Sequence, residues 1–154
     1  MTQDDTDRIE KQIVLKAPIE RVWRAISDAQ EFGAWFGVRF ETGFEPGKPI
    51  RGKITTRGYE HVTFTAQVER MEAPHHFSMR WHPYALDPKV DYSKEPTTLV
   101  SFDLASVQGG TQLRIVESGF SAIPIARRAE AYRMNDGGWR AQCQNIEAYL
   151  AQAR

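Results

Sequence analysis

Residues 111–150 read TQLRIVESGF SAIPIARRAE AYRMNDGGWR AQCQNIEAYL, and this stretch decides the fold. It opens with alternating apolar residues, which predict a strand, and it ends in an amphipathic helix. The apolar residues of that helix share one face, since they are spaced by four, three and four positions: Trp139, Cys143, Ile146 and Leu150. A sheet must cover this stripe. One helix gripped by a curved antiparallel sheet leaves room for a ligand between them.

A second, shorter helix is predicted just before the final one. Residues 126–132 favour helix and follow Ile123-Pro124-Ile125. Residues 135–138 read NDGG, a turn-forming sequence. We therefore expect a break there, with the final helix beginning at about Gly138 and closing the binding cavity.

The N-terminal part predicts one strand and two short helices. Apolar residues alternate from Ile9 to Leu15, which indicates the strand. Pro18 suits the first turn of a helix, and apolar residues follow it at helical spacing. Asp28 with Glu31 three residues later has the form of a capping box, so the second helix should begin at Asp28.

Strand periodicity dominates from residue 38 to residue 117. Apolar and polar residues alternate in several runs, separated by turn-rich segments such as residues 43–49 and the Gly109-Gly110 hairpin. With the N-terminal strand, these runs predict about six or seven antiparallel strands. The fold class is therefore α+β: a helix-grip fold in which a curved antiparallel sheet wraps around a long C-terminal helix.

Composition limits the classes of function. The chain has 154 residues, 41% of them hydrophobic, and predicts a single domain over residues 9–154 after a disordered N-terminus at residues 1–8. Twenty basic residues balance twenty acidic ones, so no net field favours nucleic acid. No apolar run is long enough to span a membrane. A single cysteine and an acidic, polar start without a signal peptide predict a cytoplasmic protein.

Several ordered motifs resemble a known family. They are residues 17–23 (APIERVW), Trp35-Phe36, residues 116–120 (VESGF), Gly138-Trp139, Asn145-Ile146 and Tyr149-Leu150. Together they resemble the family named after the activator of the heat-shock chaperone ATPase, within the START-like (SRPBCC, birch-pollen-allergen-like) superfamily. The resemblance covers about residues 9–151. It implies a deep hydrophobic cavity between sheet and long helix. A domain of this size resembles the bacterial members, which look like small-molecule binders without an assigned ligand.

Glu117 is the polar residue whose position most needs an explanation. It lies in line with Leu113 and Ile115 on the apolar face of its strand, where an unpaired carboxylate is costly. One interpretation makes it a polar anchor for a ligand, or the acid/base of a cyclase or hydrolase with Tyr132 or another pocket tyrosine as helper. The other makes it structural, as a helix-cap contact or an ion pair holding the strand to the following segment. The candidate partners for such a pair are Arg127, Arg128 and Arg133.

Aromatic residues predict the wall of the cavity, because large rings with few polar groups suit an apolar ligand. The alternative is that these rings are ordinary core. The predicted cavity residues, which include Glu117 and one cysteine, are Trp35, Phe36, Phe64, Trp81, Phe102, Glu117, Tyr132, Trp139 and Cys143. Cys143 lies on the helical stripe, where an apolar setting predicts packing rather than nucleophilic attack.

The histidines predict no metal site. His75 and His76 are adjacent, so on a strand they point to opposite faces and cannot chelate one ion together. His61 and His82 are predicted to face outward. No glycine loop has the form that cradles a phosphate, and we expect neither metal nor cofactor.

Residues 83–96 are proline-rich and aperiodic, which predicts a long loop. Such a loop is either a lid or rim of the cavity, or a solvated hairpin tip. The leading hypothesis for function is a binder of a small apolar or amphipathic molecule. A START-like enzyme that uses Glu117 is the second. The third is a module that binds a chaperone or forms a homodimer, through an exposed patch of Tyr84, Leu86 and Tyr92.

Overall fold

Seven antiparallel strands form one curved, open sheet in the computed structural model, which describes residues 7–87 and 89–152. The strands are β1 (Arg8–Leu15), β2 (Val38–Phe40), β3 (Pro49–Ile54), β4 (Thr63–Glu72), β5 (His76–Trp81), β6 (Thr98–Val107) and β7 (Gly110–Ser118). Their order across the sheet is β1-β7-β6-β5-β4-β3-β2, so the first two strands of the chain form its opposite edges. The predicted α+β helix-grip arrangement is confirmed.

Two short helices join the edge strands, as predicted: α1 (Ile19–Ser27) and α2 (Ala29–Phe36). The Asp28 side chain caps α2 by accepting from the Glu31 backbone N–H at 2.9 Å. The Glu31 carboxylate does not complete the capping box. It accepts instead from Arg21 and from the Tyr149 hydroxyl, each at 2.8 Å. The side chain predicted to cap one helix therefore ties both short helices to the C-terminal one.

The predicted break in the C-terminal helix is wrong. A single helix, α3 (Ile125–Gln152), runs through the NDGG sequence of residues 135–138. Two contacts from this segment explain the continuity: Asn135 donates to Glu117 of β7, and Asp136 accepts from Lys11 of β1 at 2.8 Å. Two helical glycines cost about 2 kcal/mol relative to alanine. Contacts with the sheet outweigh that cost, so the local turn propensity is overridden.

Substituting Gly137 by alanine is expected to stabilise the protein by about 1 kcal/mol, because a helical glycine loses more backbone entropy on folding than alanine. A β carbon at Gly137 would meet no atom within 4 Å. The matched control is Gly33→Ala in α2, where the β carbon would lie 2.1 Å from the Val38 carbonyl oxygen. Urea denaturation should show opposite signs for the two variants. A loss of stability in Gly137→Ala would contradict a continuous, unstrained α3.

The first described residues belong to the fold. Strand β1 begins at Arg8, one residue before the predicted domain boundary, and it pairs with β7. Asp7 is also engaged, because its side chain accepts from the Ser121 backbone N–H at 3.1 Å. Residues 1–6 of the predicted disordered N-terminus lie outside the described residues.

Helix α3 covers the concave face of the sheet, and aromatic rings fill much of the space between them. Phe32 of α2 is fully buried, and its ring centroid lies 5.8 Å from that of Phe102 on β6. Trp139 of α3 contacts Phe102 and Phe36, with centroids 5.7 and 5.9 Å apart. The interior that the family resemblance implies to be a deep cavity is therefore largely packed core among the described residues, and a cleft opens beside it, at the ends of β3, β4 and β5.

Candidate functional site

Glu117 lies in the middle of a buried hydrogen-bond network near the end of β7. Its side chain is fully buried. Oε2 accepts from Trp81 Nε1 and from Thr98 Oγ1, each at 2.6 Å, and Oε1 accepts from Trp139 Nε1 at 2.8 Å. Asn135 Nδ2 completes the set at 3.0 and 3.1 Å from the two oxygens. The carboxylate thereby joins strands β5, β6 and β7 to helix α3.

The four partners of Glu117 are neutral, so the predicted ion pair with an arginine is wrong for the described residues. Arg127 is paired with Glu95 at 2.7 Å, and Arg128 donates to a backbone carbonyl. Arg133 is not among the partners of the carboxylate either. The reason is geometric: Asn135 and Trp139 occupy the face of α3 that meets β7.

Burial raises the pKa of the Glu117 carboxyl, and the hydrogen bonds from Thr98, Trp81, Trp139 and Asn135 oppose this rise. A carboxylate offers about four lone-pair sites, and these donors occupy both of its oxygens. Indole and amide N–H groups can only donate, so only the Thr98 hydroxyl could accept a proton from Glu117. The network is thus arranged for an acceptor at its centre, with no lone pair left for a substrate.

A cleft of about 610 Å³ opens beside this network. It lies where the ends of β3, β4 and β5 meet the C-terminal end of α2 and the loop of residues 83–96. Its wall consists of Phe36, Ile54, His61, Val62, Thr63, Phe64, Thr65, Trp81, His82, Tyr84, Ala85, Leu86, Asp87, Val90, Tyr92, Ser93 and Asn135. Trp81 and Asn135 belong both to this wall and to the Glu117 network, so the network supports one side of the cleft.

A smaller recess of about 150 Å³ continues from the cleft towards α3. It shares Phe36, Trp81 and Asn135 with the cleft and adds Gly138, Trp139 and Gln142. The Trp81 and Trp139 rings are stacked here, with centroids 5.6 Å apart and planes 22° apart. Phe64 meets Trp81 edge to face at 5.5 Å. The wall between the two spaces is therefore a set of interlocked aromatic rings.

The described residues of the loop 83–96 border the cleft. This loop contains a short 3₁₀ turn, Tyr92–Lys94, and Arg127 of α3 fastens it. Arg127 Nη1 donates to the Pro83 carbonyl at 2.7 Å, and its guanidinium lies 4.8 Å from the centre of the Tyr92 ring. The loop thus forms a rim, one of the two predicted roles. The exposed patch predicted for Tyr84, Leu86 and Tyr92 is absent, since these side chains are partly buried and line the cleft.

Four of the predicted cavity residues line the open spaces: Phe36, Phe64 and Trp81 in the cleft, and Trp139 in the recess. Glu117 lies behind them and is not itself a lining residue.

The other four predicted cavity residues are placed elsewhere among the described residues. Trp35 and Phe102 are buried in the core, and the Trp35 indole donates to the Ala25 carbonyl at 2.9 Å. The Tyr132 hydroxyl donates to the Arg8 carbonyl at 3.0 Å. Cys143 packs in the core, where burial raises the pKa of its thiol.

Two residues of the candidate site, Thr98 and Asn135, were not predicted. Thr98 continues the alternation of Val100 and Phe102 by one step, which is the signal that would have found it. Asn135 lies four residues before Trp139, on the same helical face once α3 is continuous. The predicted break hid this relation.

His61 and His82, predicted to face outward, line the cleft instead. Strand alternation does not extend to either of them, because His61 precedes β4 and His82 follows the end of β5.

Two other kinds of site are absent from the described residues. No three His, Cys, Asp or Glu side chains come together there as metal ligands would. No described helix has the length and hydropathy needed to cross a bilayer.

The sequence of the chain is similar to one family. Residues 16–151 match the family model described as Activator of Hsp90 ATPase homolog 1-like protein. No curated protein matches the chain.

Solved structures share the fold over nearly the whole chain. MLL2253 from Mesorhizobium loti is 20% identical, with a TM-score of 0.75 over 96% of this chain and 98% of that one. NE0264 from Nitrosomonas europaea is 15% identical, with a TM-score of 0.75 over 100% of both. DynU16, from the dynemicin biosynthetic locus, is 20% identical with a TM-score of 0.72. That match covers 95% of this chain and 48% of DynU16, so the chain spans about half of its length. These identities show the fold alone.

Proposed function

The chain belongs to the Activator of Hsp90 ATPase homolog 1-like family, and we propose that it is a binding protein for a small apolar or amphipathic molecule held in the cleft. The observation that carries this proposal is the cleft itself. Its volume of about 610 Å³ lies within the roughly 300–1,000 Å³ typical of ligand pockets. Phe36, Phe64 and Trp81 supply apolar surface. The hydroxyl, amide and imidazole groups around them can orient a ligand through hydrogen bonds.

Support also comes from the way the wall is held. Glu117 fixes the indole rings of Trp81 and Trp139 through their N–H groups, and Arg127 fixes the loop that forms the rim. Rings and loop are thus positioned before any ligand arrives, which lowers the entropic cost of binding. The proposed role of Glu117 is to support the wall.

Binding is favoured over catalysis by the position of Glu117. An acid/base must reach the reacting atom directly or through one water. Glu117 lies behind Trp81 and Asn135, and all its partners are side chains of the protein. Tyr132, the one tyrosine that was predicted by number as a helper, donates to the backbone of β1.

A protein-interaction role, with a chaperone or a second copy, has less support. The family's name refers to a chaperone ATPase, but the residues predicted to form a docking patch turn inward to the cleft. A cytoplasmic location remains a prediction.

The proposal is tested with N-phenyl-1-naphthylamine, a neutral probe whose fluorescence rises in an apolar pocket. We expect saturable binding by the natural protein and at least a tenfold weaker Kd in Ala85→Trp, because the new ring fills the cleft. Ala105→Trp is the control, since Ala105 is exposed on β6 and lies outside the cleft wall. Native mass spectrometry of the purified protein would reveal a retained ligand. Equal binding by both variants, or no saturable binding, would refute the proposal.

A further inference from the structure

We propose that the molecule held in the cleft is an organic cation, with a quaternary or protonated amine placed against Trp81. This inference rests on the proposed binding function and adds the charge of the ligand. It follows from three features of the cleft: the charges around it, the rings in its wall, and the carboxylate behind those rings.

The charged side chains that line the cleft favour a cation. Among the described lining residues there is no lysine or arginine, whereas Asp87 contributes a carboxylate. Arg127 touches the loop, but its charge is paired with Glu95 at 2.7 Å. The remaining titratable groups of the wall are His61, His82 and two tyrosines. An anionic ligand would therefore meet like charge without a fixed cation to compensate it.

The wall also has the side chains that bind cations by their ring faces. Trp81 and Phe64 meet edge to face, and Tyr84, Tyr92 and Phe36 complete an aromatic lining. Tryptophan is the strongest partner in cation–π contacts, and clusters of such rings bind quaternary ammonium groups. Arg127 already makes one such contact with Tyr92, at 4.8 Å from the ring centre.

Glu117 strengthens this preference from behind the wall. Trp81 and Trp139 both donate their indole N–H to its carboxylate, at 2.6 and 2.8 Å. A hydrogen bond to an anion polarises the donor, and the effect is larger in a buried site. The two stacked indoles therefore carry more negative charge on their rings than isolated ones, and Glu117 adds its own field.

The test compares two probes that differ in one atom: butyrylcholine, and 3,3-dimethylbutyl butyrate, in which carbon replaces the charged nitrogen. Sodium heptanoate is the anionic probe. All titrations are run at pH 8. We expect butyrylcholine to bind at least tenfold more tightly than its neutral isostere, and heptanoate not to saturate the cleft. The indole N–H resonance of Trp81 should shift on addition of butyrylcholine.

Two loop variants refine the result. Asp87→Asn removes the carboxylate of the wall and should weaken butyrylcholine binding about threefold without affecting the neutral ester. Asp91→Asn, on the same loop but outside the cleft wall, is the control and should change the affinity for butyrylcholine less. Equal affinities for charged and neutral esters would overturn the inference, while binding of N-phenyl-1-naphthylamine would keep the proposed function. Failure of all four probes to bind would overturn both.

Discussion

Replacing Glu117 by leucine is expected to lower the free energy of unfolding by about 3–5 kcal/mol, because several buried hydrogen-bond donors lose their acceptor at once. The four donors around Glu117 would lose their acceptor, and an unsatisfied buried donor costs about 1–3 kcal/mol. Removing the buried carboxylate also removes its desolvation cost, which offsets part of this loss of stability. The loss from the unpaired donors is the larger of the two, so the net effect is destabilising. These donors lie on three separate elements, β5, β6 and α3, which the carboxylate holds together.

Urea denaturation followed by tryptophan fluorescence and circular dichroism measures this loss. Glu147→Leu on the exposed side of α3 is the control and should stay within about 0.5 kcal/mol of the natural protein. The free energy of unfolding of Glu117→Gln should lie between those of the two leucine variants. Its amide oxygen still accepts hydrogen bonds, whereas its NH₂ group faces other donors. A loss under about 1 kcal/mol for Glu117→Leu would mean that the network does not hold α3 on the sheet.

The same carboxyl gives a pH dependence of defined sign. Burial raises its pKa in the folded protein, so the folded state binds this proton more tightly than the unfolded chain. Its contribution to stability is fully present below the unfolded pKa of about 4.3 and is lost as the pH rises through the folded value. The difference in unfolding free energy between the natural protein and Glu117→Gln should therefore shrink as the pH rises. A difference that grows as the pH rises would mean that folding lowers the pKa of Glu117 instead of raising it.

Much of the fold was predictable because it depends on local periodicity. Alternation along β7 placed Glu117 in line with Leu113 and Ile115, and all three are buried. The partners of Glu117 were beyond reach for a physical reason. Trp81 is 36 residues away, and its approach depends on strand pairing across β5, β6 and β7, which the sequence pattern does not specify. Three arginines were candidate partners because of their charge, whereas packing brought neutral donors to the carboxylate.

The candidate site was only partly predictable. An inward-facing aromatic residue has the same spacing in the sequence whether its ring lines a cleft or fills a core. Phe64 borders open space while Phe102 is buried, although each alternates with polar neighbours. The difference arises from the loop of residues 83–96 and from α2, whose positions relative to the sheet have no local signal. The helix break predicted at the NDGG sequence was wrong for the opposite reason. There the local preference for a turn was strong, but tertiary contacts overrode it.

Phe32→Ala should cost about 3–5 kcal/mol of stability, the usual range for deleting a buried phenylalanine ring. Phe32 is fully buried, with Trp35 at 4.7 Å and Phe36 at 4.9 Å between ring centroids. It also packs against Phe102, which borders Trp139 of α3. This ring thus fills part of the space between helix α3 and the sheet. Phe32→Leu keeps much of the volume and should lose roughly half as much.

Benzene distinguishes a real cavity from a collapsed core in Phe32→Ala. An apolar cavity of about 150 Å³ stays dry and binds benzene, and a ligand that binds only the folded state raises its stability. We expect saturating benzene to raise the melting temperature of Phe32→Ala by several degrees more than that of the natural protein. If it does, Phe32 is the side chain that keeps this part of the interior between α3 and the sheet closed. If benzene raises both melting temperatures equally, the neighbouring rings have closed the space left by the deleted ring.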